Sequence, residues 1–351
     1  MIIKEIKDNV GIIYLNRPDK INALNFEMFN DIQNTLEDWE KNNEVKIVLF
    51  DAFGEKGFCS GGDLKELYED YLINDACKNK YKFFSQEVLM DKYIMSYSKP
   101  IISHWFGIVM GGGVGLSIHS DVIITDETTK WAMPETKLGF VPDVSVGKNI
   151  STLPQALGQY VGLTGAILEA SDLIKYNFAH VFCRSDNYQK LIRELFKIAN
   201  ENPQEKIIEK FKEASEDYNM PLQKTFISQN IKAIKKYFSI SNIIDLYKNL
   251  ENNFDDSFAY KNYHNLKNRS PFMLTLQFEK YFLCKNLSPQ ETIDLDLKIL
   301  NYATDKGLLA EGIRANMIDK TYDPSWPTKS LEDVSMASIK NLLSIDKSFQ
   351  K

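Results

Sequence analysis

The amino-acid sequence has 351 residues, of which 44% are apolar and 26% charged, and its formal net charge at pH 7 is −6. This composition is typical of a globular protein with one large domain and an appendage, and it excludes a disordered chain. The acidic balance and the lack of any run of ~18 apolar residues argue against a nucleic acid or a membrane as partner.

The first 200 residues alternate short apolar strands with helices, which predicts an α/β fold. Residues 2–6 and 11–15 are expected to form paired strands. Asn25 is a suitable N-cap for a helix, since apolar residues follow it at helical spacing. Residues 45–50 are almost continuously apolar, which is typical of a strand covered on both faces.

Two glycine-rich loops each separate a strand from a helix, at residues 60–63 (SGGD) and 111–113 (GGG). Glycine lets the backbone approach a ligand closely, and a helix N-terminus presents oriented N–H donors. Two such donors directed at one point form an oxyanion hole, which polarises a thioester or ester carbonyl. Tight turns in a sheet are the alternative interpretation. Neither loop has a nucleotide-binding pattern.

Two carboxyl residues follow prolines in the loop after the next strand. Glu135 comes after Pro134, and Asp143 comes after Pro142, eight residues further along. Two carboxyls in different environments can serve as an acid and a base. Solvated turn residues are the alternative.

The remaining chain is expected to be helical and rich in lysine. We divide the protein into a catalytic core (1–200) and a helical C-terminal region (201–351), and residues 201–219 are expected to be a linker or a mobile insertion.

The cysteines and the N-terminus indicate a reducing, cytoplasm-like compartment. The four cysteines lie far apart without a CxxC pair, so neither a disulfide framework nor a metal site is expected: Cys59, Cys77, Cys183 and Cys284. Cys59 is a candidate nucleophile without an evident histidine partner. No secretory signal or transit peptide is recognisable at the start of the sequence.

Placed in order, these motifs resemble the crotonase (enoyl-CoA hydratase/isomerase) superfamily. The shared motifs are NRP (16–18), NAL (22–24), FCSGGD (58–63), the run 107–113 and PE (134–135). Within the superfamily the sequence is most similar to the 3-hydroxyisobutyryl-CoA hydrolases. That likeness rests on VMGGGVGLSIH (109–119), AMPET (132–136), VPDV (141–144), EGIRA (311–315), IDK (318–320) and DPSW (323–326).

The resemblance implies a spiral of ββα turns that binds CoA in an extended tunnel. CoA is then part of the substrate, and no separate cofactor or metal is required. The family's oxyanion hole maps onto the backbone N–H groups of Gly62 and Gly112. The resemblance also assigns catalysis to Glu135 and Asp143, and substrate binding to Glu87, Gly112, Glu135 and Asp143.

One position favours hydrolysis over hydration. Hydratases of the superfamily carry a first glutamate where this sequence has Gly115, so one of the two groups that add water across a double bond is absent. The expected reaction is hydrolysis of 3-hydroxyisobutyryl-CoA to 3-hydroxyisobutyrate and CoA in valine catabolism. Residues 144–148, which border the acyl pocket, depart from the family pattern and leave the acyl group open.

Several alternatives stay open. Glu135 either attacks the carbonyl or activates a water. The rival functions are an enoyl-CoA hydratase or isomerase and a non-catalytic CoA- or RNA-binding relative. If a transit peptide is missing, the location is the mitochondrial matrix rather than the cytoplasm. A homo-oligomer is compatible with the resemblance.

Overall fold

The structure, a computed structural model, describes residues 1–72 and 80–345. These residues form two compact units that alternate along the chain. The first unit contains Met1–Asp63, Gln86–Ala132 and Ile167–Gln229, and the second contains Leu64–Ser85, Met133–Ala166 and the residues from Asn230 onward. These boundaries differ from the division at residue 200, which stays a prediction about where the catalytic core ends.

The strands of the described residues all lie in the first unit. They are β1 (Ile2–Lys7), β2 (Val10–Leu15), β3 (Ile47–Ala52), β4 (Ile101–Trp105), β5 (Ile108–Met110), β6 (Val122–Thr125), β7 (Lys130–Ala132), β8 (Leu168–Glu169) and β9 (Val181–Phe182). Six of them form a sheet in the order β1-β2-β3-β4-β6-β9, which is antiparallel between β1 and β2 and parallel elsewhere. The other three form a small sheet in the order β5-β7-β8.

Helices occur in both units and dominate the second. They are α1 (Phe26–Glu40), α2 (Leu64–Glu66), α3 (Lys82–Met95), α4 (Gly112–Gly115), α5 (Val146–Thr152), α6 (Gln155–Thr164), α7 (Ala170–Lys175), α8 (Tyr188–Glu201), α9 (Gln204–Ser215), α10 (Phe226–Phe238), α11 (Ile243–Glu251), α12 (Ser257–Lys267), α13 (Pro271–Cys284), α14 (Pro289–Asp305), α15 (Leu308–Ile313) and α16 (Met336–Leu343). The predicted α/β class with a helical C-terminal region is confirmed. Across residues 1–72 and 80–345, none of the helices is both long enough and apolar enough to span a bilayer.

Local signals in the sequence explain the first elements. The Asn25 side chain accepts a hydrogen bond from the Met28 N–H at 3.0 Å and caps α1, as predicted. Strand β3 begins two residues later than expected, because its pairing with β2 runs from Ile47 to Ala52.

Residues 201–219 are not a linker, contrary to the expectation from sequence. Most of them form α9, whose Ile207 and Phe211 are fully buried. Together with Leu191 and Leu195 of α8, these two side chains belong to the core cluster that covers one face of the large sheet. Only two apolar side chains of α9 are fully buried, and they lie among many charged residues, so its sequence pattern is weak.

Replacing Phe211 with alanine tests this assignment. The substitution leaves a cavity in the core, so the free energy of unfolding should fall by about 3–5 kcal/mol in a urea titration. The exposed neighbour Lys210 is the matched control, and Lys210→Ala should change stability by less than about 0.5 kcal/mol. Equal, small effects of both substitutions would restore the linker interpretation.

Candidate active site

In the first unit, the loop that carries Gly62 is fixed on both sides. Arg17 Nη2 donates to Asp63 Oδ2 at 2.8 Å in a buried ion pair. The Leu24 N–H donates to the Gly61 carbonyl at 2.8 Å, and the Asp63 N–H donates to the Leu24 carbonyl at 2.6 Å. These bonds involve the backbone of Gly61 and Asp63, and the Gly62 N–H takes no part in them.

The backbone amides of Gly62 and Gly112 are neighbours. A Cβ atom on Gly112 would lie 3.4 Å from the Gly62 nitrogen and would collide with Oε1 of the buried Glu87. Among the residues that the structure describes, neither glycine N–H finds an acceptor. The first unit therefore brings together Gly62, Gly112 and Glu87, with two unused donors that could stabilise one oxyanion.

Cys59 lies beside the same loops but is not an activated nucleophile. Its Sγ donates to the Asn22 carbonyl at 3.2 Å, and burial raises the pKa of the thiol to about 12. Because the thiolate is the reactive form, this cysteine is inert at neutral pH. Cys183 and Cys284 are likewise buried and free, and Cys77 lies outside the described residues.

The second unit contains the two predicted carboxyls, and both are only 4% exposed. Glu135 begins a 3₁₀ helix that follows Pro134, and its Oε2 makes no hydrogen bond within residues 1–72 and 80–345. Burial raises the pKa of Glu135 well above its usual range, and the charge of Asp143 raises it further. Burial and the charge of Asp296 raise the pKa of Asp143 to about 7.

These carboxyls can act as an acid and base pair. Two buried carboxyls that interact cannot both ionise easily, so the pair of Glu135 and Asp143 retains a proton near neutral pH. Groups with this property can move protons during a reaction at physiological pH. The structure therefore places Glu135 and Asp143 in one electrostatic cluster.

Three further charged residues belong to this cluster and were not predicted from the sequence. Lys280 of α13 and Asp296 of α14 form an ion pair with almost no exposure, and Arg269 is buried just before α13. Lys280 and Arg269 both oppose the increase in the pKa of Glu135. The sequence contains one indication of such a residue, a charged side chain at an apolar position of a helical pattern. Lys280 is an example in the run FMLTLQFEKYFLC (272–284).

Arg269 forms hydrogen bonds to the side chain next to Glu135 and to the backbone at the end of α6. Its guanidinium donates to the Thr136 hydroxyl, and to the Thr164 carbonyl at 2.7 Å. The Asn265 side chain accepts another of its hydrogen bonds at 2.6 Å. These acceptors are neutral, so the positive field of Arg269 remains available to Glu135.

Nothing in the described ranges suggests a metal centre. No group of three or more His, Cys, Asp or Glu side chains there is arranged to hold an ion. The charges beside Glu135 and Asp143 are supplied by lysine, arginine and aspartate instead.

Comparison with known proteins relates nearly the whole chain to one family. Residues 10–343 match the family model described as enoyl-CoA hydratase/isomerase. A Xenopus tropicalis protein named 3-hydroxyisobutyryl-CoA hydrolase, mitochondrial, is 34% identical over 93% of this chain and 84% of its own length. The Danio rerio protein of the same name is 31% identical over 95% of this chain and 87% of its own length.

A solved structure has the same fold. The crystal structure of an enoyl-CoA hydratase from Rhodobacter sphaeroides 2.4.1 superposes with a TM-score of 0.86 at 29% identity, covering 98% of this chain and 97% of that one. The predicted crotonase-like architecture is thus confirmed, while the names of these relatives divide between hydrolase and hydratase.

Proposed function

The chain belongs to the enoyl-CoA hydratase/isomerase family, and we propose that it hydrolyses an acyl-CoA thioester, with 3-hydroxyisobutyryl-CoA as substrate and 3-hydroxyisobutyrate and CoA as products. One observation carries this proposal: the buried pair Glu135 and Asp143 is present, whereas Gly115 stands where hydratases carry their first glutamate. One of the two glutamates with which hydratases of the family add water across a double bond is therefore absent here. The names of the sequence relatives support the same choice.

The proposed chemistry begins at the thioester carbonyl. Attack on its carbon places negative charge on the oxygen, and the N–H groups of Gly62 and Gly112 stabilise that charge. The carbon–sulfur bond then breaks, and a proton held by the carboxyl pair neutralises the departing thiolate. Asp143 orients the substrate's 3-hydroxyl or the water and assists this departure.

Glu135 fits either of two routes. In the first, its carboxylate attacks the carbonyl, forms a mixed anhydride and is regenerated by water. In the second, it removes a proton from a water that attacks directly. The raised pKa of Glu135 makes its carboxylate a better base than a solvated glutamate, which suits the second route in particular.

An enoyl-CoA hydratase is the second candidate function. The high structural similarity to the enoyl-CoA hydratase from Rhodobacter sphaeroides favours it. A non-catalytic CoA- or RNA-binding relative is the third, although an acidic chain with two buried carboxyls of raised pKa is poorly suited to it.

One assay on two substrates separates these functions. We expect thiol release from 3-hydroxyisobutyryl-CoA, persisting when a chelator is present because the proposal requires no metal. We expect no loss of the ultraviolet absorbance that the conjugated double bond gives crotonyl-CoA. The reverse result would establish a hydratase, and inactivity on both substrates combined with CoA-ester binding would establish the non-catalytic relative.

The location and assembly are also proposals. The buried, unpaired cysteines of the described residues suit a reducing compartment, which is the cytoplasm or the mitochondrial matrix. The names of the relatives include "mitochondrial", which favours the matrix. Homo-oligomerisation stays a prediction.

A further inference from the structure

The backbone that carries Asp143 has an unusual conformation. Val144 and Ser145 have φ angles of 48° and 69°, so two consecutive residues other than glycine are left-handed. This conformation is rare for a β-branched residue such as valine, and it persists only where surrounding contacts impose it. Contacts within the second unit must therefore stabilise the backbone of residues 142–145 in this conformation.

The contacts that hold this loop come from α13 and α14. Lys280 Nζ donates to the Pro142 carbonyl at 2.5 Å, and Asp296 Oδ2 accepts from the Ser145 N–H at 2.9 Å. Lys280 and Asp296 also pair with each other through buried side chains. The Lys280–Asp296 ion pair is therefore hydrogen-bonded to the backbone of Pro142, directly before Asp143, and of Ser145, two residues after it.

We propose that the Lys280–Asp296 ion pair is a positioning device that fixes the Asp143 carboxyl and controls its protonation during thioester hydrolysis. The proposal rests on the function proposed above, because only there does Asp143 take part in a reaction. Neither Lys280 nor Asp296 is assigned contact with the substrate. Both act through the loop and through their charges.

The charges around Asp143 explain why a pair, and not a lone cation, is needed. The charged groups that act on Glu135 and Asp143 are Lys280, Arg269 and Asp296, and the nearby Cys284 is a neutral thiol, since burial raises its pKa to about 11. Burial is the largest cause of the raised pKa of Asp143, and the charge of Lys280 opposes it. The charge of Asp296 acts against that of Lys280 and raises the pKa, so Asp143 can take up and release a proton near neutral pH.

The test is Asp296→Asn, which preserves the loop contact but removes the charge. The asparagine oxygen can still accept from the Ser145 N–H, whereas Lys280 is left without its counter-ion. The pKa of Asp143 should therefore fall by about one unit or more. ¹³C-carboxyl NMR measures the midpoint directly, with the Asp143 signal identified by its loss in Asp143→Asn. The limb of the pH–rate profile that reports Asp143 should move to lower pH by the same amount.

Asp172→Asn is the matched control. Asp172 is a buried carboxylate of the first unit that accepts a hydrogen bond from Thr225 Oγ1 at 2.7 Å. This substitution should lower thermal stability but leave both the Asp143 midpoint and the pH–rate profile unchanged. An Asp143 midpoint that stays near 7 in Asp296→Asn would overturn the proposal.

A second variant decides the matter if Asp296→Asn does not fold. Combining Lys280→Met with Asp296→Leu removes both charges together, so no unpaired charge remains buried. The loop then loses its anchors, and kcat should fall by about 10-fold or more with little change in KM. A wild-type kcat in this folded variant would refute the positioning role.

The two proposals fail in distinguishable ways. If the wild-type protein released no thiol, the proposed function would be wrong. The positioning role would still be tested by comparing the Asp143 midpoint in the NMR titrations of the wild type and Asp296→Asn. If thiol release is normal and the midpoint does not move, only the positioning role is wrong.

Discussion

Glu135→Gln is expected to reduce thioester cleavage by ~10³-fold or more, which lies within the range for loss of a general base or nucleophile. Glutamine has nearly the same shape but can neither attack the carbonyl nor accept a proton from water. Binding of the CoA ester should survive, because the amides of Gly62 and Gly112 are unchanged. The measurement is kcat for thiol release together with the dissociation constant of the substrate.

Stability is the internal control for this variant. The pKa of Glu135 is raised in the folded state, so the unfolded chain loses this proton at a lower pH than the folded protein does. The free energy of unfolding therefore falls as the pH rises above the pKa of the unfolded state. Glutamine does not ionise, and Glu135→Gln should therefore be as stable as the wild type or more stable above about pH 5. Loss of activity without loss of stability would locate the defect in the chemistry.

Isotope labelling then distinguishes the two routes. In a single turnover of the wild-type enzyme in ¹⁸O-water, direct attack by water places the label in the acid product. Attack by Glu135 leaves the first product unlabelled and transfers the label to the enzyme, because water opens the anhydride at the glutamyl carbon. If Glu135→Gln cleaved the thioester at the wild-type rate, both routes and the site assignment would be wrong.

Gly112→Ala should lower turnover by ~10²-fold or more, which is the scale for loss of one oxyanion donor. The added methyl group would meet the Glu87 carboxylate and lie 3.4 Å from the Gly62 nitrogen, so it occupies the space beside both amides. The position of the carbonyl oxygen would be disturbed even if both N–H groups were retained. The measurement is kcat/KM for thiol release, combined with a urea titration to confirm folding.

Gly307→Ala is the matched substitution. A Cβ atom there meets nothing within 4 Å, although the φ angle of 67° disfavours alanine. It should cost about 1 kcal/mol of stability and leave turnover unchanged. Gly112→Ala with turnover like that of Gly307→Ala would eliminate the oxyanion assignment.

The sequence determined those features of the protein that depend on neighbouring residues. The strands expected at residues 2–6 and 11–15 were predicted to within one residue of their observed bounds, Ile2–Lys7 and Val10–Leu15, because apolar runs and turn residues are local signals. The same holds for the capping of α1 by Asn25. The family motifs likewise identified Gly62, Gly112, Glu135 and Asp143 as candidates, because each lies in a short pattern of fixed spacing.

Only the tertiary structure decided which charges surround those candidates. Lys280 lies 137 residues from Asp143 in the sequence, yet it binds the carbonyl of the adjacent Pro142 and influences both carboxyls. The pKa of a carboxyl depends on burial and on charges within a few ångströms, and neither quantity can be obtained from sequence spacing. For the same reason the narrow stripe of α9 could be recognised as core only when Phe211 was seen against the sheet. Burial is a property of the packed elements, and it converted Glu135 and Asp143 from two loop residues into interacting carboxyls that hold a proton near neutral pH.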